Sequence, residues 1–240
     1  MVNDYDQYAA SRQKRFKNGE SIPHRFVEKP AMRGVMPDLT GKRILLLGCG
    51  SGEESKLLEE FGATNLVGID LSVESIKLAK ESYPGYEFTV GDMHRLAFAD
   101  REFDFVYSSL TVHYSDNPLA VYKEVGRVLK PGGSFQFSVG HPVRWASDVA
   151  NVDGRQVRLL GYTEGKDKPK LYGKYHTFSR HQDAFSDGMV VQYWIGPPSM
   201  HFNLLKQAGF TVEACNDIDP YYYERFSEFP QWAVFVAKKL

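Results

Sequence analysis

The chain has 240 residues, of which 42% are hydrophobic and 25% charged, with a formal net charge of −1. That suffices for a buried core in one α/β domain with an insertion, or in two small domains, and the near-neutral balance argues against an electrostatic footprint for nucleic acid. Two cysteines, Cys49 and Cys215, build neither a disulfide framework nor a zinc spacing, and no apolar run reaches membrane-spanning or signal-peptide form, so a reducing cytoplasm is the expected compartment.

Residues 1–42 read as a helical arm. Tyr5, Tyr8 and Phe16 sit among polar residues; the basic run 12–17 reads as a solvated helix face, and residues 31–36 as a short helical stretch between prolines. Residues 43–47 are apolar and end in Gly48-Cys49-Gly50-Ser51-Gly52, the pattern of a buried parallel strand entering a tight turn. A helix is predicted over 53–61, stopped at Gly62, then a strand over 66–69 that ends in Asp70. Ser72 is a suitable N-cap for a helix over 73–82. A third strand spans 86–90 and runs into Gly91-Asp92-Met93-His94; a fourth spans 103–107 and ends at Ser108-Ser109. A helix over 118–129, a turn at Lys130-Pro131-Gly132-Gly133 and a fifth strand over 134–139 complete the alternation. Strand-then-helix repetition of this kind gives a doubly wound, mostly parallel sheet with right-handed crossovers. Residues 141–199 break the rhythm with glycines, aromatics and His141, His176 and His181, too long a stretch for a bare loop. They read as an inserted cap, strand-like over 189–195, so that 43–140 and 200–240 form the core. A helix over 200–208 and strands over 210–215 and 232–236 close the chain.

In an open parallel sheet, ligands bind beyond the carboxyl ends of the strands. Those ends here are Gly48 to Gly52, Asp70-Leu71, Asp92-Met93, Ser108-Ser109 and Gly140-His141. Asp70 follows Gly50 by twenty positions, the spacing of a carboxylate that grips a ribose diol. A dinucleotide fold wants G-x-G-x-x-G, but here the third glycine comes one position early, and Glu53 and Glu54 would repel a pyrophosphate. An adenosyl ligand with an amino-acid tail fits this loop better than a dinucleotide, and a ligand-free tight turn is the plain alternative. Asp92 is placed to accept from an adenine amine, with Met93 and Leu71 sandwiching the ring. Tyr8 is either ordinary packing or an aromatic face against a cationic sulfur.

The set LLLGCGSG, VGIDLS, VGDMHRLAF, FDFVYSSLTVHY and VLKPGG, in this order over roughly residues 40–140, resembles the class I S-adenosylmethionine-dependent methyltransferases. The likeness is to their small-molecule branch with the type-11 methyltransferase domain. The resemblance implies a Rossmann-like seven-stranded sheet whose last strand is an antiparallel insertion. It also implies S-adenosyl-L-methionine as cofactor, with Gly48, Gly50 and Gly52 backing the methionine moiety, Asp70 the ribose, Asp92 and Met93 the adenine, and Ser108 or Ser109 facing the methionine end; Cys49, Ser51, Leu71 and His94 are counted with them as cofactor-binding residues. The family commonly carries an acid where this chain has Leu46, so the ligand's amino group needs a backbone carbonyl or another side chain. The implied reaction is in-line displacement at a sulfonium methyl by an O, N or C nucleophile. His113 and His141 are candidates for a general base, with structural or orienting roles as the alternative; His141 opens the cap, and Pro142 fixes its backbone. Tyr114 is a further candidate. His176, His181, Asp183 and Asp187 match no metal motif. The expectation is a cytoplasmic enzyme, monomer or homodimer, acting on a small apolar or aromatic acceptor without nucleic acid or membrane. An RNA methyltransferase, a nicotinamide oxidoreductase and a non-catalytic cofactor-binding module are the alternatives.

Overall fold

A computed structural model describes residues 4–19, 24–163, 170–184, 188–218 and 232–240. Helix α1 (Asp4–Lys17), a π-helical turn (His24–Glu28) and α2 (Lys29–Gly34) precede the first strand. The alternating region runs β1 (Arg43–Leu47), α3 (Glu54–Glu59), β2 (Asn65–Asp70), α4 (Val73–Ser82), β3 (Glu87–Val90), β4 (Phe103–Ser108), α5 (Pro118–Val128) and β5 (Leu129–Gly140). A one-turn α6 (Pro142–Trp145) leads to β6 (Asp148–Val152), β7 (Arg155–Leu159), β8 (Gly161–Thr163), β9 (Lys170–Tyr172), β10 (Ser179–Ala184) and β11 (Val190–Ile195). Then come α7 (Pro198–Gln207), β12 (Phe210–Asp217) and β13 (Trp232–Lys239).

Seven strands form one sheet in the order β12-β13-β5-β4-β1-β2-β3. The neighbours among β1 to β5 pair parallel, while β13 pairs antiparallel with both β5 and β12. The last strand is therefore the antiparallel insertion. Burial on both faces follows from the strand sequences: Ile44, Leu45, Leu46 and Leu47 are all at most 1% exposed. Leu45 and Leu47 join Val121, Tyr122 and Val125 of α5 and Leu205 of α7; Ile44 and Leu46 join Met32 of α2, Leu57 and Leu58 of α3, and Ile76 of α4. Each fully buried aliphatic side chain of this kind contributes about 1.5–3 kcal/mol. Ser72 caps α4 as expected, its hydroxyl accepting from the Ser75 amide at 3.1 Å.

The turn expected at residues 130–133 lies within β5 in a looped-out form. Leu129 pairs with Phe103, and Ser134 pairs with Phe105, so four residues bulge out of the register. Between β5 and α7, the described residues form three two-stranded antiparallel sheets, β6–β7, β8–β9 and β10–β11. Asp187 and Phe185 lie outside the described residues. Among the described residues no group of three or more His, Cys, Asp or Glu side chains is placed to hold a metal ion, and no helix is long and apolar enough to cross a membrane.

Candidate active site

The carboxyl ends of β1, β2 and β4 open into a cavity of about 660 Å³, within the range of small-molecule sites. Its floor is the loop after β1. Gly48 has φ +70°, and a Cβ there would run into the Thr111 side chain; Gly52 has φ +88°, and a Cβ would lie 2.8 Å from the Tyr83 ring. These two glycines let the loop turn and pack. Gly50 has open space where its Cβ would be and lines the cavity.

Asp70 is fixed by backbone. Gly50 N–H donates to Oδ2 and Ser72 N–H to Oδ1, each at 2.9 Å. Burial pushes its carboxyl above the ordinary value, and these two amides oppose the shift. Each oxygen keeps a further lone pair for a ligand hydroxyl. Ile69, Leu71 and Met93 add apolar wall beside it, and Ser51, Cys49 and Ser109 complete the lining from the predicted set. An anion fixed at the end of β2, a bare backbone at Gly50 and flanking apolar side chains fit an adenosyl ligand.

Other predicted residues stand outside the lining of this cavity. Gly52 faces Tyr83 and Phe88 and does not line the cavity. The Ser108 hydroxyl is buried and donates to Leu47 O at 3.1 Å. Asp92 and His94 brace one another at 2.7 Å, and the far nitrogen of His94 meets the Ser115 hydroxyl at 2.7 Å, outside the lining. Tyr8 packs against Met189, Val191, Tyr193 and Ile195. His141 caps α6, its Nδ1 accepting from Val143 N–H at 3.2 Å, and its Nε2 stands 3.3 Å from Asp217 Oδ1. Burial lowers its pKa, with Asp217 opposing. Only Gly140 of that strand end reaches the cavity.

His113 does line the cavity, from the 3-10 turn after β4. Its ring lies 4.6 Å from that of Tyr114 and 5.9 Å, edge-on, from that of Tyr193 on β11. Nδ1 is buried without a hydrogen-bond partner. Burial, assisted by His201, drives its pKa down to about 3, so the imidazole is neutral at working pH.

The N-terminal segment corrects the expectation of a solvated basic face. Arg12, Arg15 and Phe16 line the cavity together with Tyr5 and Ala9. The Arg12 guanidinium lies 5.0 Å over the Tyr5 ring and within electrostatic reach of Asp70. Helix α1 is tied down by Asp6, which accepts from the Ser72 hydroxyl at 2.6 Å and from Glu74 N–H at 3.2 Å.

Sequence reasoning also missed a buried charge cluster beneath the loop. His24 reaches Glu28 through Nδ1 at 2.8 Å and Glu54 through Nε2 at 3.1 Å. Lys29 meets Glu54 at 3.0 Å, and the Tyr107 hydroxyl donates to it at 3.0 Å. Glu28 also accepts from Ser109 and Ser138 hydroxyls at 2.9 and 2.6 Å. Burial alone would discharge His24, but Glu28 and then Glu54 outweigh it and hold the imidazolium at about 9. Glu54 is held below its ordinary value by His24 and Lys29 against burial. π-Helical turns are rare and recur at functional sites; this one brings His24 and Glu28 together.

The fold is shared with an S-adenosylmethionine dependent methyltransferase from Mesorhizobium loti, at TM-score 0.68 and 24% identity, over 88% of this chain and 96% of that one. Residues 45–137 match the sequence model of the family described as "Methyltransferase domain". Together these matches support a class I S-adenosylmethionine-dependent methyltransferase. S-adenosyl-L-methionine is accordingly its cofactor. Among its relatives, this methyltransferase is 35% identical over 127 residues to phthiotriol/phenolphthiotriol dimycocerosates methyltransferase of Mycobacterium tuberculosis, covering 50% of this chain and 47% of that protein. It is 33% identical over 143 residues to malonyl-[acyl-carrier protein] O-methyltransferase of Pectobacterium atrosepticum, covering 58% and 55%. The chain thus spans about half the length of either curated relative.

Proposed function

We propose that this methyltransferase transfers the methyl group to an O, N or C nucleophile of a small apolar or aromatic molecule. The observation that carries the reading is the uncharged part of the lining, Leu110, Tyr114, Tyr193, Ile195 and Trp232, of which Tyr114 and Tyr193 stand against the His113 ring. The charged lining comes from the loop after β1, from β2 and from the N-terminal segment. By their descriptions one named relative is a methyltransferase of phthiotriol and phenolphthiotriol dimycocerosates and the other an O-methyltransferase of malonyl-[acyl-carrier protein], which is in keeping with methyl transfer to a non-nucleic-acid acceptor.

When bound, the cofactor supplies the electrophilic methyl on a sulfonium. The chain supplies alignment and exclusion of water. Gly48 to Ser51, Asp70, Leu71, Met93 and Ser109 hold the adenosyl and methionine parts. Helix α1, with Tyr5 and Phe16, and strand β11, with Val191 and Tyr193, form the roof; the N-terminal arm and the 141–199 segment thereby act together as a lid. His113, neutral and on the cavity wall, accepts a hydrogen bond from the nucleophile's O–H or N–H and holds its lone pair towards the methyl. His141, turned to Asp217 and the start of α6, positions the Gly140 strand end.

The test is label transfer. With S-adenosylmethionine carrying a labelled methyl, the enzyme is incubated with a panel of phenols, aromatic amines and short acyl thioesters, and separately with total RNA. Label in the small-molecule fraction supports the reading; label in RNA alone overturns it.

A further inference from the structure

Three acids line the cavity, and they are not equivalent. Asp70 has both oxygens occupied by the Gly50 and Ser72 amides, and it faces the ribose position. Glu54 is neutralised by His24 and Lys29 and receives the Tyr107 hydroxyl. Glu53 differs from both. Its two carboxylate oxygens accept the Ser51 hydroxyl, at 2.8 Å each, and its own backbone N–H, and no ion pair is formed with it among the described residues. It is half-buried, and that burial pushes its carboxyl above the ordinary value; Ser51 and its own amide oppose the shift, and Lys17 acts only weakly. A half-buried carboxylate with only neutral partners is costly, and a cation placed against it lowers the cost.

The cofactor brings two cationic groups, the sulfonium and the α-ammonium. The sulfonium has to face the acceptor side, where His113 and Tyr114 stand. Glu53 comes from the turn after β1 and lines the cavity with Cys49 and Ser51. We propose that Glu53, braced by Ser51, binds the α-ammonium of the methionine tail. This assignment rests on the cofactor identity and adds to it a residue that determines which adenosyl compounds are held. It gives the tail its anionic partner from the residue after the glycine loop, in a chain where position 46 is leucine. One consequence is discrimination: adenosyl thioethers without the amino group leave Glu53 without a cationic partner, and are bound more weakly.

Calorimetric titration of the full chain tests this with three ligands: S-adenosylhomocysteine, its des-amino analogue and 5′-methylthioadenosine. Wild type should prefer S-adenosylhomocysteine over the des-amino analogue by about 10- to 100-fold, the value of a hydrogen bond to a charged group. Glu53→Gln should weaken S-adenosylhomocysteine by about the same factor, leave 5′-methylthioadenosine unchanged and abolish the preference over the des-amino analogue. If Glu53→Gln binds S-adenosylhomocysteine as wild type does, or loses 5′-methylthioadenosine in equal measure, the assignment is wrong. Should the variant fail to fold, the wild-type comparison decides alone: equal affinity for S-adenosylhomocysteine and its des-amino analogue overturns the proposal. Wild type that binds none of the three would remove the cofactor itself, a different failure from losing the ammonium contact.

Discussion

Replacing His24 by alanine should unfold the enzyme at markedly lower temperature, because the imidazolium is the cation shared by two buried carboxylates. Glu28 is 0% exposed and keeps, after the change, only the hydroxyls of Ser109 and Ser138. Glu54 retains Lys29 and Tyr107. Removing one partner of a buried pair costs about 3–5 kcal/mol; with two hydroxyls still on Glu28 the lower end, about 3 kcal/mol, applies. In a chain of this length each kcal/mol moves the midpoint by about 2–4 °C, so a fall of roughly 6–12 °C is expected near neutral pH. The pH dependence gives a second readout. The folded pKa of His24, about 9, lies above its ordinary 6.5, so its contribution is complete below the ordinary value and disappears as pH rises through the folded one. The gap in melting temperature between wild type and His24→Ala should therefore narrow steadily from neutral pH to about pH 10. Thermal melts by circular dichroism across that range are the assay. A midpoint within experimental error of wild type at neutral pH, or a gap that stays constant to the alkaline end, would refute the reasoning. Adding Glu28→Gln to His24→Ala should restore part of the loss, since the stranded charge goes with it.

Asp70→Ala should lower affinity for S-adenosylhomocysteine in calorimetry by about 10-fold or more, through loss of a charged hydrogen-bonding partner, while the melting temperature changes less. His113→Ala should reduce methyl transfer with little effect on cofactor affinity, and the wild-type rate profile should show no ionisation between pH 5 and 8 assignable to His113, whose pKa lies at about 3. An inflection in that range that vanishes in the variant would contradict the neutral role. Gly48→Ala should destabilise the protein by more than the ordinary glycine-to-alanine difference of about 1 kcal/mol, because φ is +70° and the new Cβ meets Thr111; chemical denaturation measures it, and a neutral or stabilised variant would mean the loop rearranges freely.

The sheet was legible because its strands carry short-range signals. Four consecutive buried apolar residues in β1, a glycine turn, and the Ser72 cap of α4 are all local patterns, and each element appeared within a few positions of expectation. Residues 130–133 misled only in kind: the loop exists, but strand pairing resumes on both sides of it. The N-terminal segment was not legible. Whether Arg12 and Arg15 face water or ligand depends on which side of α1 docks on α4, and its weak apolar periodicity leaves that open. Glu28 carries no local mark of burial, since its hydroxyl partners lie 81 and 110 positions away. The cavity residues from strand ends could be named from sequence. Tyr193 and Trp232, which reach it from the far end of the chain, had no pattern to betray them.

The antiparallel β13 has a kinetic meaning. Trp232 pairs with Gly140 at the rim of the cavity, and β12 is joined to the sheet only through β13. Chains emerge from the ribosome from their N-terminus. Until the final strand is available, β5 presents an open edge bearing Phe135, Phe137 and Val139, an invitation to pairing between nascent chains. Closing the wall of the catalytic cavity and sealing that edge are thus one event, and a terminus trimmed within β13 should yield protein that aggregates before it ever binds a ligand.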